Sequence, residues 1–287
     1  FKRHTPAVSV ILAPLQKLGF IMHPMLNIAI RAARQAGDII IRSADSIDTL
    51  KITIKNQNDY ATEIDKRAEE EIIHTLLSAY PDHGVLAEES GSLNEDAEYI
   101  WVIDPLDGTT NYMHGFPHYA VSIALKKGDS IEQAVVYDPV RQDLFTATRG
   151  KGAMLNNRRI RVGRQRKIQG SFLGTGFPFK NDKDIEPYLD IFRDIFSITS
   201  GVRRAGAASL DLAYVAAGKL DGFFEIGLKP WDFTAGVLLI QEAGGVVTDF
   251  SNDHGFHKTG NIVCGNPKIQ QALLDKITPH ADKVISS

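Results

Sequence analysis

The chain has 287 residues, of which 43% are hydrophobic and 23% charged, and its formal net charge is −3. This composition is typical of a globular protein and excludes a disordered, collagen-like or coiled-coil chain. The charge gives no chain-wide attraction to nucleic acid. The single cysteine, Cys264, excludes an internal disulfide and a cysteine-based zinc site. We therefore expect a reducing, cytoplasmic location.

The first 21 residues precede the first regular pattern. Their apolar part follows Lys2 and Arg3 but contains Pro14 and lacks a small-residue cleavage site. We interpret residues 1–21 as a non-native or upstream extension, with Met22 as the natural start. No apolar run reaches the ~18–20 residues of a membrane span.

Hydrophobic periodicity predicts two helices and then a group of strands. The first helix covers 25–41, and the second follows a capping box at Thr62 to Asp65 and ends before Pro81. Short apolar runs predict strands at 85–87, 99–103, 120–126, 131–137 and 143–148. Tight turns at 128–129 and 138–139 favour antiparallel pairing.

The second half of the chain alternates between strand and helix patterns, which favours parallel strands with crossovers. Strands are predicted at 172–175, 222–226, 246–249 and 262–264, and helices at 185–196, 207–217, 233–243 and the C-terminal end. We expect a layered αβαβα sandwich of the α+β or α/β class, with a mostly parallel second sheet. The boundary is predicted near 158–170, between a metal- and phosphate-binding subdomain (22–164) and an α/β subdomain (165–287).

The predicted strand at 99–103 leads directly into two carboxylates, Asp104 and Asp107. Pro105 fixes its own φ and lacks an amide donor, so we expect the chain to leave the strand there. Both carboxylates and the Leu106 carbonyl could then converge at the sheet edge. A bare Asp-x-x-Asp is more often a turn or a solvated helix face, but the strand before it favours a ligand set.

The residues after Asp107 suit an anion. Gly108 allows a ligand to approach the backbone closely, and Thr109 and Thr110 supply hydroxyls. If a helix begins here, its free amides can bind a phosphate. Hard oxygen ligands beside such amides favour Mg²⁺ together with phosphate.

Other carboxylates occupy similar settings. Glu88 and Glu89 end a short apolar strand, Asp232 begins a helix, and Asp65 lies in the first turn of another. Taken singly, Asp65 is best explained as a cap and Asp232 as a helix-terminal charge. Spacing alone does not join these residues into one site.

Four segments together resemble the inositol monophosphatase family. They are 101–112, 230–245, 86–90 and 58–65, and the similarity covers roughly 22–280. The segments 22–28, 175–179 and 223–228 are similar to the bacterial SuhB-type branch of that family. The resemblance implies an Mg²⁺-dependent phosphomonoesterase that releases phosphate from myo-inositol-1-phosphate and is inhibited by Li⁺.

The resemblance also implies a role for each matching residue. Glu88, Asp104 and the Leu106 carbonyl would bind one Mg²⁺ and Asp104, Asp107 and Asp232 a second, with two or three ions per site. Thr109 and Asp65 would activate water, which Glu88 helps to hold. Substrate or phosphate contacts are implied for Leu106, Asp107, Gly108, Thr109, Arg203, Ala208, Glu225 and Asp232.

Two alternatives to this activity remain open. Related enzymes hydrolyse other small sugar or nucleotide phosphates. The SuhB-type branch also implies a non-catalytic or dual role in transcription antitermination, with RNA polymerase and Nus factors as partners. A basic run, Arg158, Arg159, Arg161, Arg164, Arg166 and Lys167, would suit such a contact, although a solvated face or an intersubunit strip is the simpler interpretation. The family implies a homodimer.

Three further features invite functional interpretations that we do not favour. The 150–152 segment, Gly-Lys-Gly, lacks the spacing of a phosphate loop and is predicted to be a turn. His254 and His257 have no evident third metal ligand and suit a solvated loop. Cys264 has no catalytic partner and suits the core.

Overall fold

The computed structural model describes residues 23–44, 52–56, 59–178 and 182–284, with backbone only for 52–62. Within these ranges the helices are α1 (Pro24–Ser43), α2 (Glu63–Ala79), α3 (Thr109–Met113), α4 (Ile185–Phe196), α5 (Ala208–Ala216), α6 (Pro230–Glu242), α7 (Phe256–Thr259) and α8 (Pro267–Ala281). The strands are β1 (Ile52–Asn56), β2 (Asp59–Thr62), β3 (Gly84–Ala87), β4 (Gly91–Leu93), β5 (Tyr99–Asp107), β6 (Ala120–Lys127), β7 (Ser130–Asp138), β8 (Asp143–Thr148), β9 (Gly152–Leu155), β10 (Arg158–Arg159), β11 (Phe172–Thr175), β12 (Gly201–Arg203), β13 (Gly222–Glu225), β14 (Val246–Thr248) and β15 (Ile262–Gly265).

The larger sheet has eight strands in the order β10-β9-β8-β7-β6-β5-β3-β4. All its neighbours are antiparallel except β3 and β5, which run parallel. Helices α1 and α2 pack against each other and against one face of this sheet. The predicted apolar stripe of α2 (Ile64, Ala68, Ile72 and Leu76) is fully buried, which confirms the helical periodicity of that segment.

The smaller sheet has the order β12-β11-β13-β15-β14. It is mixed rather than mostly parallel: β11 runs parallel to β12 and β13, but β15 is antiparallel to β13 and β14. The prediction was wrong here because the last strand, β15, inserts between β13 and β14 and runs antiparallel to both.

Helices α5 and α6 lie between the two sheets, and α4 and α8 cover the outer face of the smaller one. This arrangement confirms the five-layer αβαβα sandwich. One hydrophobic core lies between the sheets around α5 and α6, a second lies under α1 and α2, and a third lies under α4 and α8. Both sheets therefore present one face to the α5–α6 layer.

The chain crosses from the larger to the smaller sheet between Arg159 and Phe172. The predicted subdomain boundary falls in this stretch, and the division into two subdomains stays a prediction. Several short elements, such as β4, β10, β12 and α7, were not predicted because two to four residues are too few to show a periodicity. The predicted extension 1–21 and the side chain of Thr62 lie outside the described residues. None of the helices in the described ranges is both long and apolar enough to cross a membrane.

Candidate active site

A β-bulge brings Asp104 and Asp107 to one face of the larger sheet. Asp104 pairs with Ser122 and Asp107 with Ala120, so three steps along β5 oppose two along β6. In a regular strand, residues three positions apart face opposite sides of the sheet. The extra residue in β5 therefore brings Asp104 and Asp107 to the same side. Pro105 lies in the bulge, so the expectation that the chain leaves the strand at Pro105 was wrong, because pairing with β6 resumes at Asp107.

Glu88 reaches the same edge from the neighbouring strand. Ala87 pairs with Ile103 in the parallel β3–β5 ladder, and the Glu88 amide donates to the Ile103 carbonyl at 3.2 Å. Because parallel strands end at the same edge, the Glu88 carboxylate lies beside that of Asp104. The Glu88 carboxylate is close enough to Asp104 to raise the pKa of that residue.

The turn after β5 is fixed by Gly108, which has φ +96°. A Cβ at this position would lie 2.9 Å from the His118 carbonyl oxygen, so both the conformation and the space favour glycine. Helix α3 begins at the next residue, Thr109. The Thr109 hydroxyl lies 3.0 Å from Asp65 Oδ1 and 3.1 Å from the Leu106 carbonyl oxygen, so it can donate to either.

The α5–α6 layer completes the cluster. The Ser209 amide and hydroxyl, in the first turn of α5, donate to Asp107 Oδ2 at 2.7 and 2.5 Å. Asp232, in the first turn of α6, accepts from the Lys229 amide at 2.7 Å. Asp232 therefore caps its helix, as its position suggested, and it also faces Asp104 closely enough to raise that residue's pKa.

The electrostatics of this cluster are those of a cation site. Burial and then the charges of Glu88, Asp107 and Asp232 hold the pKa of Asp104 well above its usual range. Burial raises the pKa of Asp107 to about 6, although the hydrogen bonds from Ser209 favour its ionised form. Carboxylates gathered in this way repel one another unless protons or a cation intervene.

The donor set fits Mg²⁺, which prefers hard oxygen ligands. Within the ranges given above, no three acidic, histidine or cysteine side chains are drawn together closely enough to hold a cation as they stand. The repulsion between Glu88 and Asp104 favours a proton at this pair and holds the pKa of Asp104 above its usual range. A divalent cation held by both would take the place of that proton.

A cavity of about 130 Å³ opens beside the cluster. It is lined by Asp107, Thr175, Gly176, Arg204, Gly206, Ala207, Ala208, Asp211, Glu225, Leu228 and Asp232. Four of the predicted residues, Asp107, Ala208, Glu225 and Asp232, therefore face one space.

A sequence model of the inositol monophosphatase family matches residues 21–286. The chain belongs to this family. It is 54% identical over 264 residues to the Nus factor SuhB of Pseudomonas aeruginosa, which covers 90% of this chain and 97% of that protein.

Solved structures agree with this family assignment. The crystal structure of the extragenic suppressor protein suhB from Bartonella henselae matches with a TM-score of 0.86 and 40% identity, over 89% of this chain and 98% of that one. The inositol monophosphatase from Anabaena (Nostoc) sp. PCC 7120 matches with a TM-score of 0.77 and 38% identity, over 91% and 96%.

Arg203, a predicted site residue, neither belongs to the carboxylate cluster nor lines the cavity. It lies on the edge strand β12, with its guanidinium 4.6 Å from the centre of the Phe172 ring. The adjacent Arg204 lines the cavity instead, and its charge opposes the rise in pKa that burial imposes on Glu225 and Asp211. Nothing in the sequence distinguishes the two arginines.

Asp211 was also missed. It lies within an apolar helical run, is only 2% exposed, and burial raises its pKa well above the usual range. A carboxylate in the middle of such a run was the available signal, because buried charges in a helix need a reason.

The three features for which we did not favour a functional interpretation lie outside the carboxylate cluster. The predicted turn at 150–152 covers the end of the β8–β9 connection and the first residue of β9, and the Glu242 carboxylate accepts hydrogen bonds from the amides of Gly150 and Gly152. His254 and His257 line a separate cavity beside α6. Cys264 is buried in β15, where burial raises the pKa of its thiol.

Proposed function

We propose that the protein is an Mg²⁺-dependent phosphomonoester hydrolase that releases phosphate from myo-inositol-1-phosphate. The observation that carries the proposal is the convergence of Glu88, Asp104, Asp107 and Asp232 beside the Thr109–Asp65 pair. Glu88, Asp104, the Leu106 carbonyl, Asp107 and Asp232 would hold two or three Mg²⁺. When bound, Mg²⁺ would supply positive charge against the phosphate dianion and lower the pKa of the attacking water.

The chain's own groups provide the proton path. A threonine hydroxyl is too weak a base to deprotonate water by itself, so Thr109 needs an acceptor for its own proton. Asp65 Oδ1, at 3.0 Å and fully buried, is that acceptor. The water's proton passes to Thr109 Oγ1 as the Thr109 proton passes to Asp65, while Glu88 holds the water in place.

The phosphate and the alcohol occupy different parts of the site. The Gly108 and Thr109 amides bind the phosphate oxygens at the start of α3. The cavity lined by Ala208 and Glu225 receives the polyol, whose hydroxyls suit a partly buried carboxylate acceptor. A ligand hydroxyl there would satisfy a group that is costly to leave unpaired.

Phosphate release from myo-inositol-1-phosphate tests the proposal, with Mg²⁺ titrated and Li⁺ added. We expect Mg²⁺-dependent, Li⁺-sensitive turnover that Asp104→Asn abolishes and that Asp96→Asn, at an exposed aspartate, leaves intact. Faster turnover of fructose-1,6-bisphosphate or adenosine 3′,5′-bisphosphate would replace the inositol assignment with the sugar- or nucleotide-phosphate alternative. No turnover of any of these by the folded protein would contradict the proposal.

A second candidate function is transcription antitermination, through contact with RNA polymerase and Nus factors. It is favoured by the name of the Pseudomonas relative and by the basic run at 158–167, whose six cationic residues are all exposed. Because that run lies apart from the cavity, Asp104→Asn should abolish hydrolysis and spare antitermination. If a folded Asp104→Asn protein fails in an antitermination assay, the two roles are not separable in this way.

The assembly and location of the protein are part of the same proposal. We propose that it acts inside the cell as a homodimer, as the family implies. Light scattering on the purified chain tests the assembly, since a single mass of about 32 kDa would contradict it.

A further inference from the structure

We infer that Glu69 positions Glu88, and this inference rests on the proposed metal-dependent hydrolysis. Glu69 lies on α2 and is only 2% exposed. Its Oε2 accepts a hydrogen bond from the Glu89 amide at 2.9 Å, and its Oε1 accepts one from the Ser90 amide at 2.8 Å. One carboxylate therefore fixes both amides that follow Glu88 in the chain.

The turn that carries Glu88 needs such an anchor. Strand β3 ends at Ala87 and β4 begins at Gly91, so only three residues reverse the chain. The Glu88 amide still pairs with β5, but the next two amides lie beyond that pairing. Two parallel hydrogen bonds to one carboxylate prevent the turn from rotating and so set the direction of the Glu88 side chain.

Helix α2 thereby holds two parts of the site at once. Asp65 and Glu69 are four positions apart and so lie on the same helix face. Asp65 contacts the Thr109 hydroxyl, and Glu69 contacts the turn after Glu88. Two buried like charges on one helix face destabilise the helix unless each is engaged. Both are engaged here, and the rigid helix keeps the distance between the water-activating pair and Glu88 constant.

Glu69→Gln tests whether Glu69 acts through its two hydrogen bonds rather than through its negative charge alone. An amide offers one acceptor oxygen and an NH₂ group, so it can accept from one of the two backbone amides but repels the other. Glu70→Gln is the matched control, because Glu70 is the next residue on the same helix and is exposed. Each variant removes one negative charge, and the two positions are adjacent in the helix.

The experiment uses the full chain and Mg²⁺ as the probe. The thermal midpoint is measured against Mg²⁺ concentration without substrate, and the Mg²⁺ concentration for half-maximal phosphate release is measured in parallel. Groups that orient metal ligands typically contribute 10- to 100-fold in metal affinity. We expect both half-saturating Mg²⁺ concentrations to rise about 10- to 100-fold in Glu69→Gln and to stay unchanged in Glu70→Gln.

The possible outcomes distinguish the inference from the proposed function. If Glu69→Gln only lowers the metal-free thermal midpoint and keeps the wild-type Mg²⁺ dependence, Glu69 is structural and the inference fails while the function stands. If Mg²⁺ affects neither the wild type nor Glu70→Gln, the proposed function fails and the inference with it. Should Glu69→Gln not fold, Glu69→Asp keeps the charge but shortens the side chain by one methylene, and the same loss of Mg²⁺ affinity is expected.

Discussion

Thr109 Oγ1 lies 3.0 Å from Asp65 Oδ1, although 44 positions separate the two residues in the chain. The contact joins the start of α3, after the bulged strand β5, to the first turn of α2. Asp65 is fully buried, so no solvent competes for the threonine proton. In the proposed reaction the pair would act as a single acid–base unit.

From the contact between Thr109 and Asp65 we predict how substitutions at the two positions lower kcat. Thr109→Ala and Asp65→Asn should each lower kcat by about 10²- to 10⁴-fold, the range for loss of general acid–base catalysis. Because the two groups act as a unit, the double variant should cost little more than either single variant. Phosphate-release assays at saturating Mg²⁺ measure the effect.

Two controls accompany these assays. Thr109→Ser keeps the hydroxyl and should retain most activity, and Thr110→Ala alters an exposed neighbour and should be silent. Fully additive losses in the double variant would show that Thr109 and Asp65 act separately.

The raised pKa of Asp107 predicts how the metal-free protein responds to pH. Its value of about 6 lies above that of the unfolded chain, so the folded state binds the proton more tightly. Stability therefore falls as pH rises from about 4 to about 6, by about 3 kcal/mol from this group, and stays low above that range. Urea unfolding in the presence of a chelator between pH 4 and pH 8 measures the change.

Asp107→Asn isolates this contribution. In chelator the variant should be more stable than the wild type at pH 8, and the difference should vanish near pH 4. With Mg²⁺ at pH 8 the order should reverse, because the wild type keeps a full ligand set. A stability difference that is the same at pH 4 and pH 8 would show that Asp107 carries no buried-charge penalty.

Part of the site could be predicted from the sequence, because its residues are close together in the chain. Asp104, Asp107 and Gly108 lie within five residues of one strand end, and their order alone predicted an oxygen-rich, anion-binding turn. The periodicity of α2 placed Asp65 near the start of a buried helix. The consequence of Pro105 was misjudged, because only the pairing partner β6 determines whether a strand ends or bulges.

The other residues around the site could not be predicted, because their roles depend on contacts between distant segments of the chain. Glu69 stands beside Glu70 and Glu71 in the sequence and looks like part of a charged surface until its contact with residues 89–90 is known. Arg203 and Arg204 are equivalent in sequence, and only the geometry of the edge strand β12 decides which of them faces the cavity.

The two arginines give a direct test of that geometry. Arg204→Gln should raise the KM for myo-inositol-1-phosphate about tenfold, because its charge lies beside Glu225 and Asp211 in the cavity. Arg203→Gln should change KM by less than about twofold, since solvent-exposed groups outside a site contribute little. Steady-state kinetics on both variants decide the matter, and a larger effect at Arg203 would overturn the assignment.

Because Gly176 lies close to Glu225, we predict that the position of the Glu225 carboxylate controls substrate affinity. A Cβ on Gly176 would overlap the Glu225 carboxylate. Gly176→Ala should therefore displace Glu225 and raise the KM for the polyol phosphate about tenfold, the effect of losing one good hydrogen bond to a charged group. Inhibition by inorganic phosphate should not change, because in the proposed site phosphate would contact the Gly108 turn instead.

A second substitution tests whether the overlap is the cause. Glu225→Asp shortens the side chain by one methylene and makes room for the new Cβ. If displacement of the carboxylate explains the Gly176→Ala effect, the two substitutions are coupled, and the double variant should have a lower KM than the product of the single effects requires. Independent, multiplicative effects would mean that Gly176 acts on the substrate directly rather than through Glu225.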